Sequence, residues 1–251
     1  MKAFKTLGWR VFRWLIKPLW GRGLERFPLV LTIYRYLYIT LAPQRDTPIC
    51  VHGNKMFIHQ GDLGFSQELL FSYGYDKCQT ALFKELVSEG MNVIDLGAHI
   101  GYYTLLAAKL VGEEGKVFAF EPEPRNYALL LRNIEVNSYK NVVAVRKAAF
   151  SRTGKVDLLL SQYSAAHSLY HPVNLYQTVN SADAIVVDAI SLDEFFENRD
   201  CSIDVIKMDI QGAEMAAVMG MSQTLKKNDN LKIFTEFWPS GLQRSEFSAR
   251  E

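Results

Sequence analysis

The sequence predicts an α/β fold with a doubly wound, mostly parallel sheet, preceded by an N-terminal helical and small β extension. Three observations predict this fold: from residue 92 onward, short runs of Val, Ile and Phe lack polar alternation, segments with helical apolar periodicity separate them, and glycines follow several runs. Strands of this kind are buried on both faces, as in parallel sheets covered by helices. The chain has 251 residues, 49% of them apolar, so it can bury such a core.

The N-terminal segment is basic and amphipathic. Residues 1–44 contain eight Lys and Arg residues and one Glu, a local charge of +7, and the net charge of +1 leaves −6 for residues 45–251. At about 100° per residue, a helix over this segment has an apolar face opposite a basic face. The apolar face contains Phe4, Leu7, Val11, Trp14 and Leu15, and the basic face contains Lys2, Lys5, Arg10, Arg13 and Lys17.

Two interpretations of this helix are open. In the first, it lies on an anionic membrane surface with Trp14 and Trp20 at headgroup depth, which gives a peripheral membrane contact through residues 1–20. In the second, its apolar stripe packs on the body of the protein, as in many surface helices. Basic residues interrupt the apolar ones throughout this segment, so we expect no membrane-spanning helix.

The cysteines and the leader predict a cytoplasmic protein, either free or peripheral at the inner membrane surface. Cys50, Cys78 and Cys201 lie far apart and show no Cys-x-x-Cys spacing. This pattern supports neither a disulfide framework nor a metal site, so we expect no bound metal. The leader also lacks the small-residue cleavage site of a secretory signal.

The chain is predicted to divide into a basic helical leader over 1–45, a small β element over 46–75 and a main domain over 76–251. In the leader, a second, aromatic helix over 27–42 is expected to end at Pro43, because proline cannot continue a helix.

The elements of the last two segments follow from periodicity and turn residues. A strand signal from Pro48 to His59 contains a tight turn at Gly53-Asn54, and a helix over 78–89 is expected to stop at Gly90. In the main domain, the predicted strands cover 92–96, 116–120, 142–145, 204–208 and 231–235, and the predicted helices cover 101–111, a segment after Pro124 and 212–226. Two more strands, 155–160 and 184–188, flank a loop with Tyr163, His167, Tyr170, His171 and Tyr176, and a loop of that length is usually functional or mobile.

A glycine turn follows the first strand of the main domain, as Asp95-Leu96-Gly97-Ala98-His99-Ile100-Gly101. Such a turn lets backbone N–H groups at a helix N-terminus face a ligand. In the dinucleotide fingerprint Gly-x-Gly-x-x-Gly, the second glycine lets the backbone approach a pyrophosphate. His99 occupies that crowded position here, which weakens a nicotinamide interpretation and favours a nucleoside ligand without phosphate.

A carboxylate ends the second strand, where Glu121 follows Gly97 by 24 residues. Ligands of parallel sheets lie outside the carboxyl ends of the strands, so Glu121 could accept two hydrogen bonds from a ribose diol. The alternative is a charge at a helix entry with no ligand. Because Glu121 comes one strand after the glycine turn, the interpretation as a ribose-binding carboxylate is favoured.

Asp209 ends the fourth strand and is expected to face the same crevice as Asp95 and Glu121. Lys207 stands inside that strand, where a buried ammonium is costly unless it is paired, so a neighbouring carboxylate is the expected partner. The alternative is a lysine at the strand margin that reaches solvent.

Together these elements resemble the FkbM family of methyltransferases, which use S-adenosyl-L-methionine and have a Rossmann-like fold. The resemblance covers about residues 75 to 238, in the family's order and spacing. Its segments are Asp95-Leu96-Gly97-Ala98-His99-Ile100-Gly101-Tyr102-Tyr103-Thr104, Phe120-Glu121-Pro122 with Asn133, Ser191-Leu192-Asp193, Lys207-Met208-Asp209-Ile210-Gln211-Gly212-Ala213-Glu214 and Thr235-Glu236-Phe237.

The resemblance implies a strand order of 3-2-1-4-5 and a set of site residues. The turn would hold the amino acid end of the cofactor, Glu121 the ribose, and Asp209 the region near the methyl group. The implied cofactor-binding residues are Asp95, Gly97, Ala98, His99, Gly101, Thr104, Glu121, Pro122 and Asp209, and the candidate catalytic residues are Asp209, Glu214 and Lys207.

The sequence departs from the family pattern at two site positions and at its C-terminal end. His99 stands where the family commonly has Asn, and Gln211 stands where it commonly has Glu, which removes a negative charge near the reaction centre. Few residues follow Phe237, so we expect the family's C-terminal antiparallel strands to be missing and the domain to be truncated.

The predicted activity is O-methylation of a hydroxyl on a sugar or another small metabolite, with a small-molecule or glycan acceptor and no nucleic acid partner. Asp209 is the first choice for the general base, ahead of Glu214, Glu236, His167 and His171. The alternative is a cofactor-binding or interaction protein with weakened catalysis. An NAD-dependent oxidoreductase is disfavoured by His99. The oligomeric state is left open.

Overall fold

The computed structural model describes residues 2–19, 27–41, 47–59, 62, 64–72, 76–161, 164–169 and 184–236. The chain divides into two compact units, Met1–Lys77 and Cys78–Glu251. The predicted leader and small β element both fall in the first unit, and the second unit begins two residues after the predicted start of the main domain.

An aromatic cluster holds the helices of the first unit together. Its described elements are α1 (Lys2–Ile16), α2 (Pro28–Leu41), β1 (Thr47–Val51), β2 (Asn54–Ile58) and α3 (Phe65–Ser72). Phe12 of α1 lies at the centre of the cluster, with ring centroids 5.7 Å from Tyr34 of α2 and 6.4 Å from Phe71 of α3. Trp9 adds a contact at 5.7 Å to Tyr38. Ring pairs at such distances add to the stabilisation from burial.

The buried face of α1 differs from the predicted apolar face. Trp9 and Phe12 are buried, whereas the side chains of Leu7, Val11, Trp14 and Leu15 are exposed. The side chains of residues 2–6, including Phe4, Lys2 and Lys5, and the whole of Trp20 lie outside the described part of the structure. Within the first unit, α1 therefore packs through the two rings of Trp9 and Phe12 and not through the predicted apolar face.

The predicted hairpin is present, but its turn lies one residue earlier than expected. β1 and β2 pair antiparallel with Val51 opposite Asn54, so the turn residues are His52 and Gly53. Both have positive φ, 51° and 81°, which is the requirement of the two-residue turn that matches strand twist. Asn54 is instead a buried strand residue.

The second unit is built on a five-stranded parallel sheet, which confirms the predicted doubly wound α/β fold. In its described residues, the strands lie in the order β5-β4-β3-β9-β10, which is the implied order 3-2-1-4-5. The elements of this unit are α4 (Lys77–Leu86), β3 (Asn92–Leu96), α5 (Tyr102–Val111), β4 (Lys116–Phe120), α6 (Pro124–Val136), β5 (Val142–Val145), β6 (Ala148–Ala149), β7 (Gly154–Leu159), β8 (Ala184–Ile190), α7 (Leu192–Phe196), β9 (Val205–Met208), α8 (Glu214–Met219), α9 (Ser222–Lys227) and β10 (Lys232–Thr235).

Two predicted helices have different bounds in the structure. The helix expected over 78–89 ends at Leu86, and the left-handed Gly90 donates its N–H to the Val111 carbonyl instead of capping that helix. The helix expected over 212–226 is divided into α8 and α9 around Gly220. A Cβ on Gly220 would overlap the carbonyl oxygen of Phe150, so the chain needs glycine at this break.

A second, small sheet joins β6, β8 and β7, and its β6 was not predicted. Ser191 then caps α7 by accepting the N–H of Glu194, and the Asp193 carboxylate accepts hydrogen bonds from Ser222, Gln223 and Thr224 at the start of α9. Partial burial acts to raise the pKa of Asp193, but these hydrogen bonds outweigh it and the pKa is lowered. The Ser191-Leu192-Asp193 segment therefore fixes helix ends.

Several predictions fall on residues outside the described ranges, namely Pro43, Tyr163, Tyr170, His171, Tyr176 and Phe237, together with the expected absence of C-terminal strands. None of the described helices has both the length and the apolar character needed to cross a membrane.

Candidate functional site

A cavity lies at the carboxyl ends of β3, β4 and β9, where the strand order reverses. Open parallel sheets bind ligands at such switch points. Its lining includes five of the predicted site residues, Gly97, His99, Glu121, Pro122 and Asp209. The other predicted residues lie behind this surface or beside it: Asp95, Ala98, Gly101, Thr104, Lys207 and Glu214.

The glycine turn after β3 is built from left-handed residues. Gly97, His99 and Gly101 have φ values of +75°, +50° and +99°. A Cβ on Gly97 would overlap the carbonyl oxygen of Asp209, so glycine lets the ends of β3 and β9 approach closely. His and Asn both tolerate positive φ better than most residues, which explains how His99 can stand where the family commonly has Asn.

Gly101 serves the packing of helices rather than the cavity surface. A Cβ built on it would lie 2.8 Å from Cδ1 of Leu130. Glycine at the start of α5 therefore lets this helix pack closely against α6, and Asn133 of α6 donates to the carbonyl of Ile100 at 2.7 Å.

A buried ion pair fixes the end of β3 to β9. Nζ of Lys207 lies 3.1 Å from Oδ1 of Asp95, and it donates to the carbonyls of Leu96 and Gly97 at 3.3 and 3.0 Å. Thr104 donates to the other Asp95 oxygen at 2.6 Å. Burial acts to lower the pKa of Lys207, but the carboxylates of Asp95, Asp209 and Glu121 together outweigh it and the pKa is raised. The prediction of a carboxylate partner for Lys207 is confirmed.

Glu121 is buried at the end of β4 with its carboxylate held by the backbone. Its Oε2 accepts the N–H of His99 at 2.7 Å and its Oε1 accepts the N–H of Glu123 at 2.9 Å. The side chain of Asn126 also hydrogen-bonds to this carboxylate. A carboxylate has about four lone-pair sites, so these three donors leave acceptor capacity for a ligand. Burial raises the pKa of Glu121 to about 7, against the lowering effect of the two N–H groups and of Asn126.

Acidic side chains surround Gln211 at the end of β9. Nε2 of Gln211 donates to Oδ1 of Asp209 at 2.9 Å and lies 3.5 Å from Oε2 of Glu236. Desolvation and the Asp209 charge raise the pKa of Glu236 to about 7. Glu214 accepts the N–H groups of Ile210 and Gly212, so its carboxylate holds the turn. No metal-ligating cluster is found in the described part of the chain.

Several cavity residues were missed by the sequence analysis. Lys147 follows β5, so the rule that sites lie at carboxyl ends of strands could have identified it. Asn126 and Ser164 also line the cavity, and Nδ2 of Asn126 donates to the Ser164 carbonyl at 3.2 Å. The hydroxyl of Ser164 lies 2.9 Å from Nε2 of His99. His167, one of the proposed bases, lines the cavity too.

A comparison with protein families matches residues 95–246 to the methyltransferase FkbM domain. The chain belongs to the FkbM methyltransferase family. The match includes the glycine turn, Glu121 and Asp209, which are the residues that carried the resemblance.

Curated relatives of this FkbM protein are methyltransferases. The 2-O-methyltransferase NoeI of Sinorhizobium fredii is 28% identical over 169 residues, which cover 63% of this chain and 68% of NoeI. Methyltransferase sdnD of Sordaria araneosa is 25% identical over 181 residues, 60% of this chain and 68% of sdnD. A protein-L-isoaspartate O-methyltransferase of Methanococcoides burtonii is 37% identical over 59 residues, which are 24% of this chain and 29% of that protein.

The FkbM family uses S-adenosyl-L-methionine, and the cavity fits this cofactor. The Glu121 carboxylate suits a ribose diol, because it is buried, fixed by two N–H groups and retains acceptor capacity. The turn contributes the backbone of Gly97, and His99 stands at the position where a glycine would admit a pyrophosphate. These residues of the FkbM chain would therefore hold the nucleoside.

Binding of S-adenosylhomocysteine should depend on pH through Glu121. Because burial raises the pKa of Glu121 to about 7, its carboxylate is mostly ionised at pH 8 and mostly protonated at pH 6. A protonated carboxyl accepts fewer hydrogen bonds, so affinity should be about tenfold weaker at pH 6 than at pH 8. Calorimetric titration at both pH values checks this.

Two variants of the FkbM chain separate Glu121 from other groups that titrate in this range. Glu121→Gln should bind with little pH dependence. His99→Asn should retain the dependence, since it removes the histidine that could otherwise cause it. Equal affinity of the unmodified protein at pH 6 and 8 would contradict the assignment of Glu121.

Proposed function

We propose that this chain transfers a methyl group from S-adenosyl-L-methionine to a hydroxyl of a sugar or another small metabolite. One observation carries the proposal: Glu121 and Asp209 line the same cavity. They follow β4 and β9, the two strands that flank β3 in the sheet. This arrangement supports a site in which Glu121 accepts hydrogen bonds from the ribose and Asp209 lies near the reacting end. The name of NoeI, a 2-O-methyltransferase, supports oxygen as the methylated atom.

The main role of this site is to position the cofactor and the acceptor. When bound, the cofactor supplies an electrophilic methyl group on sulfur. Glu121 would orient the nucleoside through its diol, and the turn fixed by the Asp95 and Lys207 pair would hold the amino acid end. Holding two reactants at near-attack distance can supply a large part of the rate enhancement.

Asp209 is the proposed general base for the acceptor hydroxyl. It lines the cavity, and the Gln211 amide donates to one of its oxygens. Glu236 lies 3.5 Å from the same amide and is hydrogen-bonded to Asp209. The pKa of about 7 would let Glu236 take up a proton near neutral pH. Lys207 acts through Asp95 and the turn, and Glu214 acts through the backbone of the turn after β9.

Transfer of a labelled methyl group tests the proposal. The full chain is incubated with methyl-labelled S-adenosyl-L-methionine and fractionated cell extract, and the labelled product is isolated and treated with mild base. A methyl ether on a hydroxyl survives this treatment, whereas a methyl ester on a carboxyl is hydrolysed. N-Methyl groups also survive mild base, so the methylated atom of the isolated small molecule is then identified by NMR spectroscopy. Base-stable label on an oxygen of a small molecule supports the proposal. Base-labile label, label on nitrogen, or label on protein or nucleic acid contradicts it.

Asp209→Asn should lower turnover by roughly 10²- to 10⁴-fold, the usual contribution of a general base. S-Adenosylhomocysteine affinity should change much less, because the asparagine oxygen can still accept from Gln211. Asp204→Asn is the matched control, since Asp204 lies just before β9, at the opposite end of that strand, and accepts the N–H of Asn92 at 2.8 Å. Equal losses of turnover and affinity in Asp209→Asn would make Asp209 a binding residue.

A further inference from the structure

The first unit exposes apolar side chains on two neighbouring helices. On α1, the exposed fractions of Leu7 and Trp14 are 60% and 75%. On α2, Leu29 and Ile33 are exposed to 72% and 51%. Further exposed apolar residues on the two helices are Val11, Leu15, Val30, Tyr36, Leu37 and Ile39. Contiguous apolar surface of this kind usually marks an interaction site.

The two helices run antiparallel and share a third neighbour. Three contacts show this: Gly8 lies near Leu41, Trp9 contacts Tyr38, and Phe12 contacts Tyr34. Residue numbers therefore rise along α1 while those of the contacted residues fall along α2. Helix α3 packs against the same pair, through the Phe12–Phe71 contact and through Arg13, which donates to the Leu70 carbonyl at 3.2 Å.

Part of the exposed apolar surface lies on one side of this pair. On a helical wheel, Val11 and Leu15 are about a quarter turn from the residues of α1 that contact α2, on the side away from Arg13 and α3. Because α2 runs in the opposite direction, the corresponding side of α2 carries Ile33 and Leu37. These four residues form one apolar surface, which Leu7 and Trp14 border on α1, about 40° and 60° from Val11. We call this surface, with its border, the hairpin face.

The charge around the hairpin face has a single sign. Residues 2–19 and 27–41 contain six Lys and Arg residues and no Asp or Glu. Arg10 and Lys17 are exposed, and on the wheel they lie about 40° and 60° from Trp14, at the edge of the basic face, and about 100° or more from Val11. An apolar face with an indole and flanking cations is the pattern of helices that lie in the plane of an anionic membrane interface.

We infer that the hairpin face binds the surface of a membrane that contains anionic lipids. The apolar side chains Leu7, Val11, Leu15, Ile33 and Leu37 would enter the headgroup and acyl boundary, Trp14 would lie at headgroup depth, and Arg10 and Lys17 would contact lipid phosphates. A second copy of the chain is a poorer partner, because two such faces would bring like charges together.

Co-sedimentation of the full chain with vesicles tests the inference. The vesicles are pure phosphatidylcholine or phosphatidylcholine mixed with anionic phosphatidylglycerol. The chain should bind the anionic vesicles and be released as salt is raised, since screening weakens the lysine and arginine contribution. Arg10→Gln with Lys17→Gln should weaken binding by roughly 25-fold, because each basic residue near the surface contributes about fivefold.

Matched variants keep the test specific to the hairpin face. Leu7→Gln with Trp14→Gln should weaken binding by at least about tenfold and leave the fold intact, because both side chains are exposed. Lys226→Gln with Lys227→Gln removes the same charge from exposed residues of the second unit and should leave vesicle binding unchanged. S-Adenosylhomocysteine affinity should be the same in all three double variants.

Three results would overturn the inference. The first is no binding to anionic vesicles by the unmodified chain. The second is equal binding by the Arg10 and Lys17 variant and its control. The third is a dimer of the unmodified chain that the Leu7 and Trp14 variant converts to a monomer, without vesicle binding, which would make the hairpin face a contact between two copies.

Discussion

Glu121→Ala should weaken S-adenosylhomocysteine binding by roughly 10- to 150-fold, as measured by calorimetric titration. The variant removes the buried carboxylate that is proposed to accept hydrogen bonds from the ribose, and hydrogen bonds to a charged group contribute about 1.5 to 3 kcal/mol. It also leaves the N–H groups of His99 and Glu123 without their acceptor.

Glu123→Ala is the control for this variant. Glu123 is another buried carboxylate of the same segment, but its Oε2 accepts the N–H of Asn126 at 2.6 Å and caps α6. Its loss should reduce stability by about 1 kcal/mol, the usual contribution of an N-cap. It should affect affinity much less than Glu121→Ala. Unchanged affinity in a folded Glu121→Ala protein would remove Glu121 from the ribose site.

Lys207→Met should lower the free energy of unfolding by about 3 to 5 kcal/mol, measured by urea denaturation. This is the usual cost of removing one partner of a buried ion pair, because the other charge is left without compensation. Here that charge is Asp95, which is 1% exposed. Two backbone carbonyls, of Leu96 and Gly97, also lose their donor.

A double variant separates this explanation from loss of packing. Asp95→Asn with Lys207→Met has no buried charge to compensate, so it should be more stable than Lys207→Met alone. If Lys207→Met does not fold, the double variant should still fold. A double variant that is less stable than Lys207→Met by the full cost of Asp95→Asn would show that the two side chains act independently, contrary to the 3.1 Å contact.

The sheet and the centre of the site were predictable because their signals are local. Strands buried on both faces appear as uninterrupted apolar runs, and in a parallel sheet their carboxyl ends meet at one edge. The positions of Asp95, Glu121 and Asp209 in the sequence are therefore enough to predict the edge of the sheet at which the cavity lies. Lys207 was predicted to be paired because an isolated buried ammonium is too costly.

The remaining features depend on contacts that distant parts of the chain make. Glycine at the break between α8 and α9 is required by the Phe150 carbonyl, about 70 residues before Gly220. Ser164 and Asn126 meet in the cavity only after the chain has folded back. The hairpin turn was shifted because both Gly53-Asn54 and His52-Gly53 suit a tight turn, and the pairing register decides between them.

In the leader, apolar periodicity did not identify the buried face of α1. The pattern assigned the aromatic pair Trp9 and Phe12 to neither predicted face of α1, although both side chains are buried. Those two rings form the buried contact, since they meet the aromatic residues of α2 and α3. A pattern within one helix carries no information about which neighbour is present.

The central position of β3 has a consequence for the order in which the chain folds during synthesis. β3 lies between β4, which follows it directly, and β9, which is synthesised much later. Until Lys207 leaves the ribosome, one edge of β3 has no neighbour in the sheet and Asp95 has no cation. Completion of the sheet must await closure of a long loop, and nascent chains with open strand edges are prone to misassociation. The interval between synthesis of Asp95 and synthesis of Lys207 is therefore the stage at which this chain most needs protection by chaperones.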